Sequence, residues 1–341
     1  MGSNMKGYSL ESVDNLMLKN IDIPECMEGW ALIRVKAAGI CSSDIPRIFK
    51  KGTYHFPTIP GHEFSGVVEK VGSKIDEVLL GKRVGVFPLI PCFKCAQCKE
   101  HHYEMCSNYD YIGSRRDGGF AEYVLVPVWN LIPLLDEISF EEAAMLEPLS
   151  VALHAMKCGN IKKGSSIGII GTGMIGFAAA QWAKKMGAKK VTVIGRANNK
   201  KEIANSISVE YLTMEQVEGE QFDVVLEAVG FAESIQQAIM CTKPAGTLIL
   251  MGNPDKDIML QQDVYWRILR KQLHLVGTWN SAYEHNEQCD WTETVDALAK
   301  HEIEAKALIS HRFMSERLPE ALDLMRSKKE PYCKVMTIWK D

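Results

Sequence analysis

No apolar run in this chain is long enough to cross a bilayer, because Gly, Lys or Pro interrupts the longest candidates. An excess of one charge is missing too: 39 basic residues face 43 acidic ones, for a net charge of −4 without any basic stripe. That balance leaves no electrostatic footprint for a nucleic acid, and neither nucleic acid nor membrane is expected as a partner. Internal repeats, low-complexity segments and long linkers are also absent, which leaves ordinary globular domains. At 341 residues the chain exceeds one ordinary core, so two domains are expected. No signal peptide is visible. The ten cysteines are therefore expected to be reduced thiols in the cytoplasm rather than a disulfide framework. Met-Gly-Ser-Asn before Met5 reads as an added leader and is set aside from the fold reasoning.

Cysteine is what the chain has in a pattern. Cys92, Cys95, Cys98 and Cys106 lie within PCFKCAQCKEHHYEMC. Four thiolates at this spacing can close a tetrahedral shell around one zinc ion. An iron–sulfur cluster also uses Cys-x2-Cys-x2-Cys and is the alternative. A second constellation favours zinc: Cys41, then His62-Glu63 in PGHEFSG, then Glu147 in MLEPLS. One saturated site beside one mixed Cys/His/carboxylate site suggests a structural metal next to a catalytic one, since only an incomplete shell leaves room for substrate. Cys26, Cys158, Cys241, Cys289 and Cys333 occur singly and read as mostly buried thiols.

The texture changes near the middle. Up to about residue 150, short strand-like runs such as WALIRVKAAGI, FSGVVEKVG and KRVGVFP alternate with Gly and Pro, which suits a mostly antiparallel domain. LEPLSVALHAMKCG predicts a boundary helix. SSIGIIG, KVTVIG, DVVLEAVG, TLILMG and LHLVGTW then read as strands separated by helical stretches, the signature of a parallel sheet covered on both faces. The tail from about Trp291 reads as helical and ends in KVMTIWKD, a strand able to return to the first domain. The expected division is 5–150, 151–285 and a returning 286–341.

GTGMIG supplies Gly171, Gly173 and Gly176, with Met174 and Ile175 between them. Alone the motif is weak, but here it follows a strand and opens a long helix. The first glycine makes the turn, the second admits a pyrophosphate and the third lets helix and strand pack closely. The phosphates then meet the free amides of the helix N-terminus. At the end of the next strand, where an acid would receive the ribose 2′-hydroxyl, stand Gly195 and Arg196, with Lys200 and Lys201 following. A guanidinium without a carboxylate points to NADP over NAD.

Over nearly its whole length the chain resembles the zinc-dependent medium-chain dehydrogenase/reductase family. GHEFSGVVEKVGSKI carries the family's zinc signature, with Gly66, Gly72 and Ile75 in register, and the cysteine lobe and GTGMIG follow in the family's order. SDIPRIFKKG, YIGSRRDGGFAEY, EPLSVALHA and RILRKQLHLVGTWN look most like the polyol dehydrogenase branch. The resemblance implies an α/β protein, with a GroES-like, mostly β catalytic domain and a Rossmann cofactor domain whose parallel sheet is doubly wound. It implies two zinc ions: Cys92, Cys95, Cys98 and Cys106 on the structural one, and Cys41, His62 and Glu147 on the catalytic one. Glu63 would exchange into that shell or hold its water, Ser43 would take the alcohol proton, and Asp44 would orient His62. Many relatives relay the proton through a histidine a few residues after the zinc cysteine; Pro46-Arg47 stands there instead. The implied reaction interconverts a secondary alcohol of a polyol, galactitol 1-phosphate or a related polyol phosphate, and its ketose. Arg47 and the pair Arg115-Arg116 in GSRRDGG are the expected phosphate binders. Unphosphorylated polyols such as sorbitol are the alternative substrates, and a zinc-stabilised binding protein without chemistry is the non-enzymatic alternative. A homodimer or homotetramer is the assembly the family implies.

Overall fold

The structure, a computed structural model, describes residues 4–340. Met1–Ser3 of the leader and the last residue of KVMTIWKD lie outside the described residues, as does the Ile75 side chain. Asn4, set aside with the leader, instead opens the strand Asn4–Ser12, which pairs with Asn15–Asp22 in a hairpin unsuspected from the sequence. The chain forms two compact units. One runs to Glu147 and resumes at Ala282–Ala299 and from Ile309 onward; the other comprises Pro148–Ser281 and Lys300–Leu308.

The first unit is built on a seven-stranded, mostly antiparallel sheet around Trp30–Ile40. WALIRVKAAGI is apolar on both faces, and its residues are buried or half-buried throughout. Glu63–Val71 and Tyr123–Pro127 pair with it antiparallel. Lys334–Ile338, from the far end of the chain, pairs with its last residues from the other side. Ile309–Met314 then adds a parallel strand in a stretch the sequence reading left helical. Ile33, Phe64, Val68, Phe120, Leu322 and Val335 share one core. At about 25 cal/mol per Å² of apolar area, each such side chain contributes roughly 1.5–3 kcal/mol relative to exposure.

The second unit is a parallel sheet. Its strands, taken in chain order, are Ser166–Ile170, Lys190–Gly195, Glu210–Thr213, Phe222–Glu227, Thr242–Leu250 and His274–Gly277. Their order in space is 3-2-1-4-5-6, every pair parallel, which is the doubly wound dinucleotide-binding arrangement. Apolar runs such as VTVI and VVL form its centre because both faces are covered. The strand order reverses between the first and fourth strands, which run parallel, and the Gly-rich turn follows the first. Of the five single cysteines only Cys241 and Cys333 are buried; Cys26, Cys158 and Cys289 are half-buried, fewer enclosed than the sequence suggested.

Candidate active site

In the lobe after Pro91, a short helix, Ala96–Lys99, lifts Cys98 from the same turn that carries Cys92 and Cys95, and the chain then folds back to Cys106. Cys92 Sγ lies 4.0 Å from Cys98 Sγ, and Cys95 Sγ lies 3.9 Å from Cys106 Sγ. All four sulfurs fall within 4.8 Å of one another. Four metal–sulfur bonds of about 2.3 Å in a tetrahedron require edges of about 3.8 Å, so the thiols suit one ion. A cluster of several irons and sulfides would stand them further apart. Tyr103 and Trp129 pack around the lobe with ring centroids 5.1 Å apart. Backbone amides of Cys98 and Ser107 pull the Cys95 thiol down to about 6, whereas burial pushes Cys98 up to about 12. A metal bound by these thiols would displace their protons.

The second constellation forms where two strands meet. Cys41 follows the end of Trp30–Ile40, and His62-Glu63 begin the antiparallel partner, with Glu63 opposite Gly39. Donor atoms of Cys41, His62 and Glu63 lie within 4.8 Å of one another, with His62 and Glu63 buried. A soft thiolate, an imidazole and a carboxylate make a donor set suited to zinc. Asp44, fully buried, accepts from the Cys41 amide at 2.9 Å and from Arg47 Nη1 at 3.0 Å. Its Oδ1 lies 3.4 Å from His62 Nδ1, an ion-pair distance at which no well-aligned hydrogen bond forms. With Nδ1 facing Asp44, Nε2 is the ring nitrogen left for a metal. Burial pushes Asp44 up, but the charges of His62 and Arg47 outweigh it and hold its carboxyl below the usual range. Burial would depress His62; Asp44 and the Cys41 thiolate reverse this and raise it well above its ordinary value.

Ser43 is exposed at the start of the short helix Asp44–Pro46, and its hydroxyl makes no capping bond there. The Glu147 carboxylate stands at the first turn of the helix Leu146–Cys158, outside the Cys41–His62–Glu63 group, and accepts a 3.4 Å bond from Tyr111 Oη. Burial lifts Glu147 to about 7; the His62 charge opposes this, and neighbouring Glu63 adds to it. Two partners were missed in the sequence. The Tyr111 ring sits 5.8 Å from that of His62, and its phenol is pushed well above its usual value by burial, then by Glu147. Lys334 is buried with its ammonium on Glu63. Tyr111 carried no signal; Lys334, a lone charge within the apolar YCKVMTIW, could have been noticed.

The arginines predicted for phosphate stand apart. Arg47 donates to Asp44, and its side chain is partly exposed. Arg115 is sandwiched between Tyr54 and Tyr109, at 4.2 and 4.5 Å, and donates to the Tyr109 carbonyl. Arg116 pairs with Asp110 over the Trp30 ring. Both line a cavity of about 520 Å³ whose walls include none of Cys41, His62, Glu63 and Glu147.

In the second unit the Gly-rich turn has the shape its sequence implies. Gly171 has φ +128°, open to glycine alone, and a Cβ on Gly176 would meet the Gly171 carbonyl at 1.9 Å. Around Gly173 nothing lies within 4 Å of a would-be Cβ, so its backbone is free to approach a ligand. Met174 and Ile175 open the helix Met174–Lys185, and Lys200 Nζ bonds the Thr172 carbonyl at 3.0 Å. Gly195 is required by Tyr211, whose hydroxyl would lie 2.2 Å from a Cβ. Arg196 is exposed over the Phe231 ring at 6.0 Å, with no ion pair among the described residues.

The match to known proteins agrees with this geometry. Residues 27–136 match the alcohol dehydrogenase GroES-like domain, and residues 175–300 match the zinc-binding dehydrogenase domain. Galactitol 1-phosphate 5-dehydrogenase of Escherichia coli (strain K12) is 34% identical over 307 residues, covering 86% of this chain and 89% of that protein. The crystal structure of galactitol-1-phosphate dehydrogenase from Escherichia coli superposes with a TM-score of 0.90 at 32% identity, covering 98% of this chain and 100% of that one. A zinc-binding dehydrogenase of Sinorhizobium meliloti 1021, solved bound to NADP, gives 0.89 at 30% identity, covering 99% and 100%. The chain belongs to the zinc-dependent medium-chain dehydrogenase/reductase family and is an oxidoreductase acting on alcohols.

Proposed function

We propose that the protein interconverts a secondary alcohol of a polyol phosphate, galactitol 1-phosphate or a near relative, and the ketose, with NADP as the hydride carrier. The carrying observation is the convergence of Cys41, His62 and Glu63 donor atoms within 4.8 Å in a buried corner backed by Asp44. Cys41, His62 and Glu147 would hold a catalytic zinc, with Glu63 within reach of the shell, and Cys92, Cys95, Cys98 and Cys106 a structural one. Zinc, when bound, supplies a Lewis acid that makes the substrate hydroxyl easier to deprotonate. Asp44, 3.4 Å from His62 Nδ1, would orient the ring with Nε2 toward the metal. Ser43, exposed and uncommitted to a cap, accepts the hydroxyl proton. Removing that proton raises electron density on the carbinol carbon, which then releases hydride to the nicotinamide. The open backbone at Gly173 receives the pyrophosphate, and the free Arg196 guanidinium pairs with the 2′-phosphate. Arg47, partly exposed and closest in sequence to Cys41, is the candidate phosphate binder.

The reading includes a homo-oligomer. His274–Gly277 ends its sheet, and Leu275, Trp279, Tyr265, Trp266 and Leu269 are exposed nearby in the chain. An apolar strand edge of this kind is a template for a second copy.

A turnover screen of galactitol 1-phosphate, galactitol and sorbitol with each cofactor tests the proposal. The phosphate ester with NADP should give the highest kcat/KM. Equal turnover of galactitol and its phosphate removes the phosphate, and no turnover of any polyol leaves a binding protein.

A further inference from the structure

Glu227 is a buried carboxylate outside both metal centres. It closes the fourth strand of the parallel sheet, Phe222–Glu227, and is 0% exposed. Its Oε1 accepts from the Val229 and Gly230 amides, each at 2.9 Å. Its Oε2 has no hydrogen-bond partner, and the side chain has no ion pair, among the described residues. The main chain closes tightly round it. The Glu227 carbonyl accepts from the Met251 and Gly252 amides, both at 3.0 Å. The Ala228 amide bonds the Ile170 carbonyl at 2.9 Å, one residue before Gly171. A Cβ on Gly252 would stand 2.5 Å from Oε2, and one on Gly230, where φ is +87°, would meet the Asn253 carbonyl at 2.8 Å. The loops after the fourth and fifth strands thus touch around this carboxylate, at the carboxyl ends of the sheet. Two amides need only one neutral oxygen to receive them, so the loops do not explain the charge. A buried charge without a counter-ion is costly, and a positive group arriving with a ligand would offset that cost.

In this fold a dinucleotide lies across the carboxyl ends of the strands. Its pyrophosphate meets the turn after the first strand, and Arg196, after the second, marks the adenosine side. The nicotinamide half would then lie over the ends of the fourth and fifth strands, on the loops that Glu227 joins. That ring carries one positive charge when oxidised and none when reduced. We propose that the Glu227 carboxylate, without touching the cofactor, favours the oxidised nicotinamide over the reduced one. The inference rests on the cofactor reading given above. Buried among backbone, the charge is screened far less than it would be in water, so it acts through the loops. Hydride passing from the reduced ring to the ketose carbon, with a proton to the ketose oxygen, restores the positive ring. The carboxylate therefore also leans the bound equilibrium toward the alcohol.

The test measures dissociation constants of the oxidised and the reduced cofactor, without substrate, for wild type, Glu227→Gln and Glu227→Asp. Calorimetric or fluorescence titration reads them on whichever pair wild type binds, NADP or NAD. Glu227→Gln keeps the side chain's size and removes its charge. It should raise the constant of the oxidised form about three- to tenfold more than that of the reduced form. Glu227→Asp keeps the charge and shortens the side chain, so the ratio of its two constants should stay close to that of wild type even if both rise. A role confined to holding the loops would weaken both forms alike in either variant. An unchanged ratio in Glu227→Gln, or the same shift of ratio in Glu227→Asp, sinks the proposal. Should Glu227→Gln fail to fold because its amide nitrogen finds no acceptor, Glu227→Met, neutral and without that nitrogen, decides by the same ratio. Wild type that binds neither form of either cofactor overturns the cofactor reading and the inference together. Wild type that binds both forms, with a ratio indifferent to the charge, overturns the inference only.

Discussion

Single side chains separate the two metal centres and the cofactor site. Cys41→Ser removes a donor from the corner shared with His62 and Glu63 while leaving the lobe intact. Turnover should vanish with only a modest fall in melting temperature; retained turnover would exclude Cys41 from the chemistry. Arg196 has no ion pair among the described residues to satisfy it, so Arg196→Ala costs the fold little. It should weaken NADP binding by roughly 1.5–3 kcal/mol, the worth of a charged hydrogen-bonded contact, and leave NAD binding unchanged. Titration of both cofactors against the variant checks this. Tyr111 donates to Glu147 from its phenol. Tyr111→Phe keeps the ring beside His62 and removes that donor, so kcat should fall while the melting temperature changes by little.

At the scale of elements, the lobe stands on its own ligands. Its core is four thiols, Tyr103, Tyr109 and Trp129, too small to hold without an ion. Cys98→Ser should release one metal and lower stability more than Cys41→Ser does, read by metal analysis and thermal melting side by side. In the parallel sheet, Asp223 fastens three strands: it accepts from the Ser166 amide and hydroxyl at 2.7 Å and from Lys243 Nζ at 2.8 Å. Partial burial would raise its carboxyl, but Lys243 and Ser166 bring it down to about 2. A depressed carboxyl stabilises fully above its ordinary value of 3.8 and loses that contribution as pH falls toward about 2. Denaturant melts of Asp223→Asn should therefore show a smaller acid-side decline than wild type between about pH 4 and pH 2. The residue is well exposed, so screening keeps the effect below about 1 kcal/mol. A decline of equal size in both proteins would assign it to other groups.

For the molecule as a whole, the expected content is two zinc ions per chain, and iron with acid-labile sulfide would contradict it. Leu275→Glu places a charge on the open sheet edge, where the half-exposed side chain tolerates it in a monomer. Light scattering should show the wild type larger than the variant; equal masses would put the oligomer interface elsewhere. Patterns set by local geometry were legible in one dimension. GTGMIG, the cysteine spacing and runs such as WALIRVKAAGI and KVTVIG depend on a turn, a loop or a strand's own faces, and each lies where the sequence placed it. The pairing of distant segments was not legible, because it follows from sheet register and not from neighbours in sequence. Register sets Lys334 against Glu63 with Gly39 between them, and the packing of separate elements brings Tyr111 beside Glu147 and His62. Arg115 and Arg116 are held by Tyr54, Tyr109 and Asp110 in the wall of a cavity that includes no residue of the metal corner, contacts that the spacing of charges did not reveal. Family and fold were therefore written in short-range chemistry, while the pairing of buried Glu63 with Lys334 was decided only when strands from both ends of the chain met.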